Sequence, residues 1–161
     1  MMSDDQFWTL LQSNRPRGGD QDDHLDALRA ALDALDAEAV AGFAQRFRKA
    51  MADSFAWELW GAAYVMNGGC SDDGFDYFRP WLIAQGREVF ELGLRDPDGL
   101  AAYDFDDEFE FESLLYLPDE VYEAKTGKEL VVEGQPLEPS GQPWDEDDLE
   151  RLYPKLCARY S

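Results

Sequence analysis

The chain is poor in the residues from which most catalytic and metal sites are built: 161 residues hold two cysteines (Cys70 and Cys157), one histidine (His24) and four lysines. One histidine with two distant cysteines excludes a zinc set, which needs four ligands at close spacing. No window approaches 18 uncharged apolar residues, so no membrane-spanning helix is expected. The N-terminus, MMSDDQFW, is acidic where a secretory leader is basic and then apolar. A cytoplasmic protein with free thiols is the expectation. Alternating strand patterns are scarce, and no internal repeat is visible.

Against these absences stand 22 aromatic residues, a hydrophobic share of 45% and a formal net charge of −21. That apolar content and length suit one folded domain, with no cofactor needed to hold it together. The charge is uneven. Residues 1–95 carry a net −7, residues 96–150 a net −17 and residues 151–161 a net +3. Such a surface disfavours direct DNA or RNA binding and attracts cationic partners. Composition and solubility explain the same charge without any partner.

Hydrophobic spacing predicts helices along most of the chain. Leu25, Leu28, Leu32 and Leu35 form one apolar stripe, and Val40, Phe43, Phe47 and Met51 another. The basic cluster Arg46, Arg48 and Lys49 suits the end of that second helix. Between Ser54 and Met66 apolar side chains fall on every side, the signature of a central helix. Ser3, Asp20 and Ser71 are N-cap candidates, and Gly68 and Gly127 are stops. Pro80 predicts a kink or break in the helix after Ser71, Pro118 a break near Leu114–Lys125, and Pro154 a kink in the last helix. The aromatics at 103, 105, 109 and 111 leave that segment unassigned. The fold class is all-α, a single globular domain of six to eight helices around a central aromatic-rich helix.

Candidate functional residues concentrate between Phe55 and Arg87. Glu58 is the only charged side chain on the central helix, so a structural ion pair with Arg79 or Arg87 competes with an acid role. Cys70, before a helix start, is placed where a thiolate is stabilised, but no histidine lies near it in sequence. Asp72, Asp73 and Asp76 suit capping as well as a cation, and Asp104, Asp106 and Glu108 lack the glycine of a calcium loop. The Gly68–Ser71 loop opens a helix, yet two aspartates at its mouth oppose a phosphate. Trp57, Trp60, Tyr64, Tyr77 and Trp81 suit a stacking pocket with Arg79 or a packed core. The candidate pocket is therefore Glu58, Trp60, Cys70, Asp72, Asp73, Arg79 and Trp81, with no catalytic residue, metal or cofactor assigned.

The pattern WELWGAAYVMNGGCSDDGFDYFRPWLIAQGREVF, followed by DPDGLA and YEAKTGKEL, resembles a widespread bacterial family of small proteins, a domain of unknown function. The likeness runs from about Phe7 to Leu130 and is carried by Trp57, Trp60, Gly61, Gly68 to Asp73, Phe75, Phe78, Arg79, Trp81, Gly86 and Arg87. Pro80 departs from the pattern. The resemblance implies a mostly helical cytoplasmic protein and transfers no catalytic residue. The expected organisation is a helical family domain over 1–130, a Pro/Gly-rich connector over 131–144 and a C-terminal helix over 145–161. The functional expectation is a non-enzymatic interaction or regulatory protein whose acidic face meets a cationic protein partner. The alternative is a small-ligand or enzymatic pocket at the Gly-Gly-Cys-Ser-Asp-Asp loop.

Overall fold

The computed structural model describes residues 2–106, 108–131 and 135–160. Part of the expected connector, residues 132–134, lies outside them. Among the described residues there are nine α-helices and no strand. They are α1 (Asp4–Ser13), α2 (Gln21–Asp33), α3 (Ala37–Asp53), α4 (Trp57–Asn67), α5 (Asp72–Ala84), α6 (Arg87–Arg95), α7 (Glu112–Thr126), α8 (Leu149–Leu152) and α9 (Pro154–Tyr160). Seven have nine residues or more, so the expected all-α domain and its helix number both hold. Short 3-10 turns occupy Pro97–Ala102 and Glu146–Asp148.

The helix boundaries follow local chemistry. Ser3 and Asp20 each accept a backbone N–H one turn ahead, and Gln6 and Asp23 return the bond, so two otherwise orphaned donors are satisfied at each start. Gly68 ends α4 at φ +67°, a backbone conformation that a side chain would strain. Pro154 opens α9 after a break at Tyr153, as expected of the tail. At the other two prolines the expected breaks are absent. α5 runs through Pro80 and α7 through Pro118 without interruption. Both rings are buried among fully enclosed neighbours such as Phe78, Leu82, Leu114 and Leu117. Packing of that extent outweighs the roughly 3 kcal/mol cost of an interior proline.

A single apolar cluster joins all the long helices, with Phe7, Phe43, Phe47, Phe75 and Phe78 completely enclosed. Each contributes about 2–3 kcal/mol of burial. α7 packs on α2, α3 and α5, while α4 packs on α5, on the 97–102 turn and on α9. Residues 103–106 and 108–111 form a strap outside the helices. Phe109 and Phe111 turn inward, Tyr103 and Phe105 are half-buried, and Asp104, Asp106, Glu108 and Glu110 are exposed. Two-residue alternation is therefore present, but without a partner strand; Phe111 N–H donates to the Tyr77 carbonyl of α5 instead (2.9 Å).

α4 is enclosed on its last side by the C-terminal segment. Gly61 lets the Tyr153 ring lie against the α4 backbone, where its hydroxyl donates to the Glu58 carbonyl. Trp144 Nε1 donates to the Trp57 carbonyl (2.6 Å), and Ser140 bridges to Phe55 and Trp57. A Cβ at position 61 would fall 2.7–2.8 Å from Tyr153 ring carbons. Gly61→Ala is expected to lose about 1–2 kcal/mol in urea unfolding despite alanine's better helix propensity, because overpacking outweighs it. The loss should shrink when Tyr153 is also replaced by Leu; a stabilised single variant would contradict this packing.

Candidate functional site

The Phe55–Arg87 region folds into a corner between α4 and α5. Trp57 stacks on Trp60 (centroids 5.1 Å, planes 8° apart), and Trp60 stacks on Phe75 of α5 (5.0 Å, 11°). Trp60 Nε1 donates to the Cys70 carbonyl at 2.9 Å, fastening the loop between the helices. Ser71 caps α5 by accepting from Gly74 N–H (3.1 Å). The loop's polar groups are thus largely spent on holding the corner together.

Arg79 is the buried cation of this corner, 6% exposed. Its Nη1 donates to the Met51 carbonyl (2.7 Å) at the end of α3, its Nε to the Phe75 carbonyl (3.3 Å), and its Nη2 pairs with Asp76. The guanidinium carbon lies 4.6 Å from the Phe55 ring centroid and 4.9 Å from that of Phe75. Burial lowers its pKa, and the Asp76 carboxylate works against that shift. Its role here is to tie α5 to the end of α3 and to the linker before α4: it satisfies a helix-end carbonyl and fills the space between two rings.

Two expectations are corrected at this corner. Glu58 is exposed and meets neither Arg79 nor Arg87; Gln142 N–H faces it at 3.4 Å, while Arg87 pairs with Asp5 and Glu91. The central helix keeps its carboxylate by turning it outward to the 140–142 turn. Cys70 is no stabilised thiolate. Burial, helped by Glu110 and Asp76, pushes its thiol up to about 12.

Of the seven expected pocket residues, Trp60 and Asp72 line a common groove. It has a volume of ≈ 370 Å³ and is formed with Phe55, Trp57, Asp76, Leu137 and Pro139. Arg79 is buried and Asp73 is exposed; neither lines it. Trp81 belongs to a different cavity of ≈ 160 Å³, together with His24 and residues of the 103–111 strap. His24, to which the sequence assigns no site role, is buried, with Nε2 3.0 Å from the Leu11 carbonyl. The signal that would have found it is its position one turn into α2, in line with Leu28 and Leu32. Among the described residues no group of three His, Cys, Asp or Glu side chains is placed to hold a metal ion, and no helix is long and apolar enough to cross a membrane. Chemically, the groove offers aromatic surface beside carboxylates, which suits a cation.

Residues 2–124 match the family described as protein of unknown function DUF4240, and the chain belongs to that family. No curated protein and no solved structure matches it. The aromatic corner, Arg79 and the strap all lie inside the family region, whereas Trp144 and Tyr153, which cover α4, lie beyond it.

Two predictions follow from this geometry. With its thiol near 12 instead of the ordinary 9.0, Cys70 holds roughly a thousandfold less thiolate at neutral pH. Iodoacetamide labelling, read by peptide mass spectrometry, should be far slower than for a free thiol at pH 7.5 and should keep accelerating with each unit of added pH to beyond pH 10. A rate that levels off below pH 9 would contradict the buried thiol. Arg79→Met should cost about 2–3 kcal/mol in denaturant unfolding through the lost charge-assisted bonds. Arg79→Lys should recover only part of that, since ammonium lacks the planar fork.

Proposed function

We propose that the protein is a non-catalytic interaction or regulatory protein that recruits a cationic protein partner through its acidic surface. The observation that carries this reading is the surplus of unpaired carboxylates. The described residues form nine ion pairs, against 35 acidic side chains in the sequence. Between residues 96 and 150 the only basic side chains are Lys125 and Lys128, and Lys125 is held by the Asp33 carbonyl. The exposed edge of the strap and the 145–148 turn add carboxylates to that surface. A cytoplasmic setting, with no nucleic acid or membrane as partner, belongs to the same proposal.

A second reading, a small-ligand pocket beside the Gly-Gly-Cys-Ser-Asp-Asp loop, is favoured by one observation. Leu137 is 97% exposed yet borders the groove of Phe55, Trp57, Trp60 and Asp72, leaving an apolar side chain next to open aromatic surface. The raised Cys70 thiol weighs against an enzymatic version of that pocket.

The main reading is tested by affinity capture from lysate at rising salt, using the full chain and the variant Glu110→Gln, Glu123→Gln, Asp145→Asn, Asp147→Asn. Captured proteins should be basic, should elute between about 0.1 and 0.5 M salt, and should be lost from the variant. Partners that the variant retains equally, or that resist salt, would overturn electrostatic recruitment.

A further inference from the structure

The cavity of ≈ 160 Å³ between the α1–α2 loop, the last turns of α5 and the strap is separate from the aromatic corner, and its rim takes in Asp104, Asp106 and Glu108 of the acidic surface. Its walls differ in chemistry. On the α5 side stand Trp81 and, one turn on, Gln85, whose side-chain oxygen holds the Arg15 guanidinium (3.1 Å). Trp81 is 4% exposed, and among the described residues its indole N–H makes no hydrogen bond. Trp81 lines the cavity, so a molecule bound there can offer that N–H an acceptor. An indole N–H is a donor only, and a buried one normally has a partner.

Other lining residues supply acceptors. His24 uses Nε2 as donor to the Leu11 carbonyl, which leaves Nδ1 as a lone-pair acceptor. Burial and Arg15 both lower the pKa of the ring, so it stays neutral. From the strap, Asp106 and Glu108 line the cavity, and among the described residues neither is in an ion pair, while Asp104 is paired with Arg159. Phe105 and Phe111 complete the walls with apolar surface.

Trp81 and Arg15 as donors, and His24, Asp106 and Glu108 as acceptors, line the same cavity, a set that matches a molecule with a carboxylate at one end and an ammonium at the other. We infer that this cavity is a binding site for a small zwitterionic amino acid with a short neutral side chain. Its carboxylate accepts from the Trp81 N–H and Arg15, and its ammonium donates to His24 Nδ1 and the strap carboxylates. The volume is close to that of an engineered cavity of about 150 Å³ that holds benzene, so the ligand is limited to roughly six or seven heavy atoms. Acidic side chains are disfavoured by Asp106 and Glu108.

The test is calorimetric titration and thermal shift of the full chain with glycine, alanine, serine and threonine. Alaninamide, which keeps only the ammonium, and propionate, which keeps only the carboxylate, are the comparison arms. At least one of the four zwitterions should raise the melting temperature by about 2 °C or more at millimolar concentration, with both one-charge analogues well below it. Trp81→Phe keeps the ring and removes the N–H; it should weaken binding by about fivefold or more. The exposed variant Glu108→Gln, which has no packing role, should weaken it as well and covers the case in which Trp81→Phe does not fold. No shift with any of the four zwitterions, equal shifts with the one-charge analogues, or unchanged affinity in Glu108→Gln would overturn the site.

Discussion

The structure depends on enclosing α4, a helix with no polar face. An α-helix on the surface of a domain normally buries one stripe and exposes the rest, but Trp57–Asn67 carries Leu59, Ala62, Ala63, Val65 and Met66 inward and Trp57, Trp60 and Tyr64 on its other side. Leaving either side in water would expose large aromatic area. α5 and the 97–102 turn cover one part, and the segment from Ser140 to Tyr160 covers the other through Trp144 and Tyr153. Gly61 is a point of close approach, and it is small because a ring rests on it.

Within that enclosure the aromatic corner is architecture before it is chemistry. Trp60 holds the loop carbonyl of Cys70, Arg79 holds the end of α3, and Ser71 restarts the chain as α5. Each polar group meets a partner that secondary structure would otherwise leave unsatisfied. What remains open at the surface is the groove over Trp57 and Trp60, while the His24–Trp81 cavity lies on the other side of α5. Packing and binding chemistry are thus largely divided between different residues of one motif.

Much of this was legible from residue spacing, and the exceptions have physical reasons. The stripes of α2 and α3, the caps at Ser3, Asp20 and Ser71 and the stop at Gly68 depend on near neighbours, which a sequence displays directly. The breaks expected at Pro80 and Pro118 are absent because a proline's cost is local while the burial that outweighs it comes from distant helices. The strap was missed because alternation signals a strand only when a second strand pairs with it, and here the aromatics rest on α5 and α9. Glu58 was assigned to the interior because the whole helix was; one residue of a buried helix can still point to the rim. His24 and Trp81 lie 57 positions apart, so no local pattern links them.

Native-state hydrogen exchange resolved by residue tests the enclosure of α4 most directly. The account predicts that the amides of α4 and those of residues 149–157 are lost in the same high-energy opening, because neither is covered without the other. Rapid exchange across residues 149–157 while α4 stays protected would contradict it, and would return α4 to being enclosed by the family region alone.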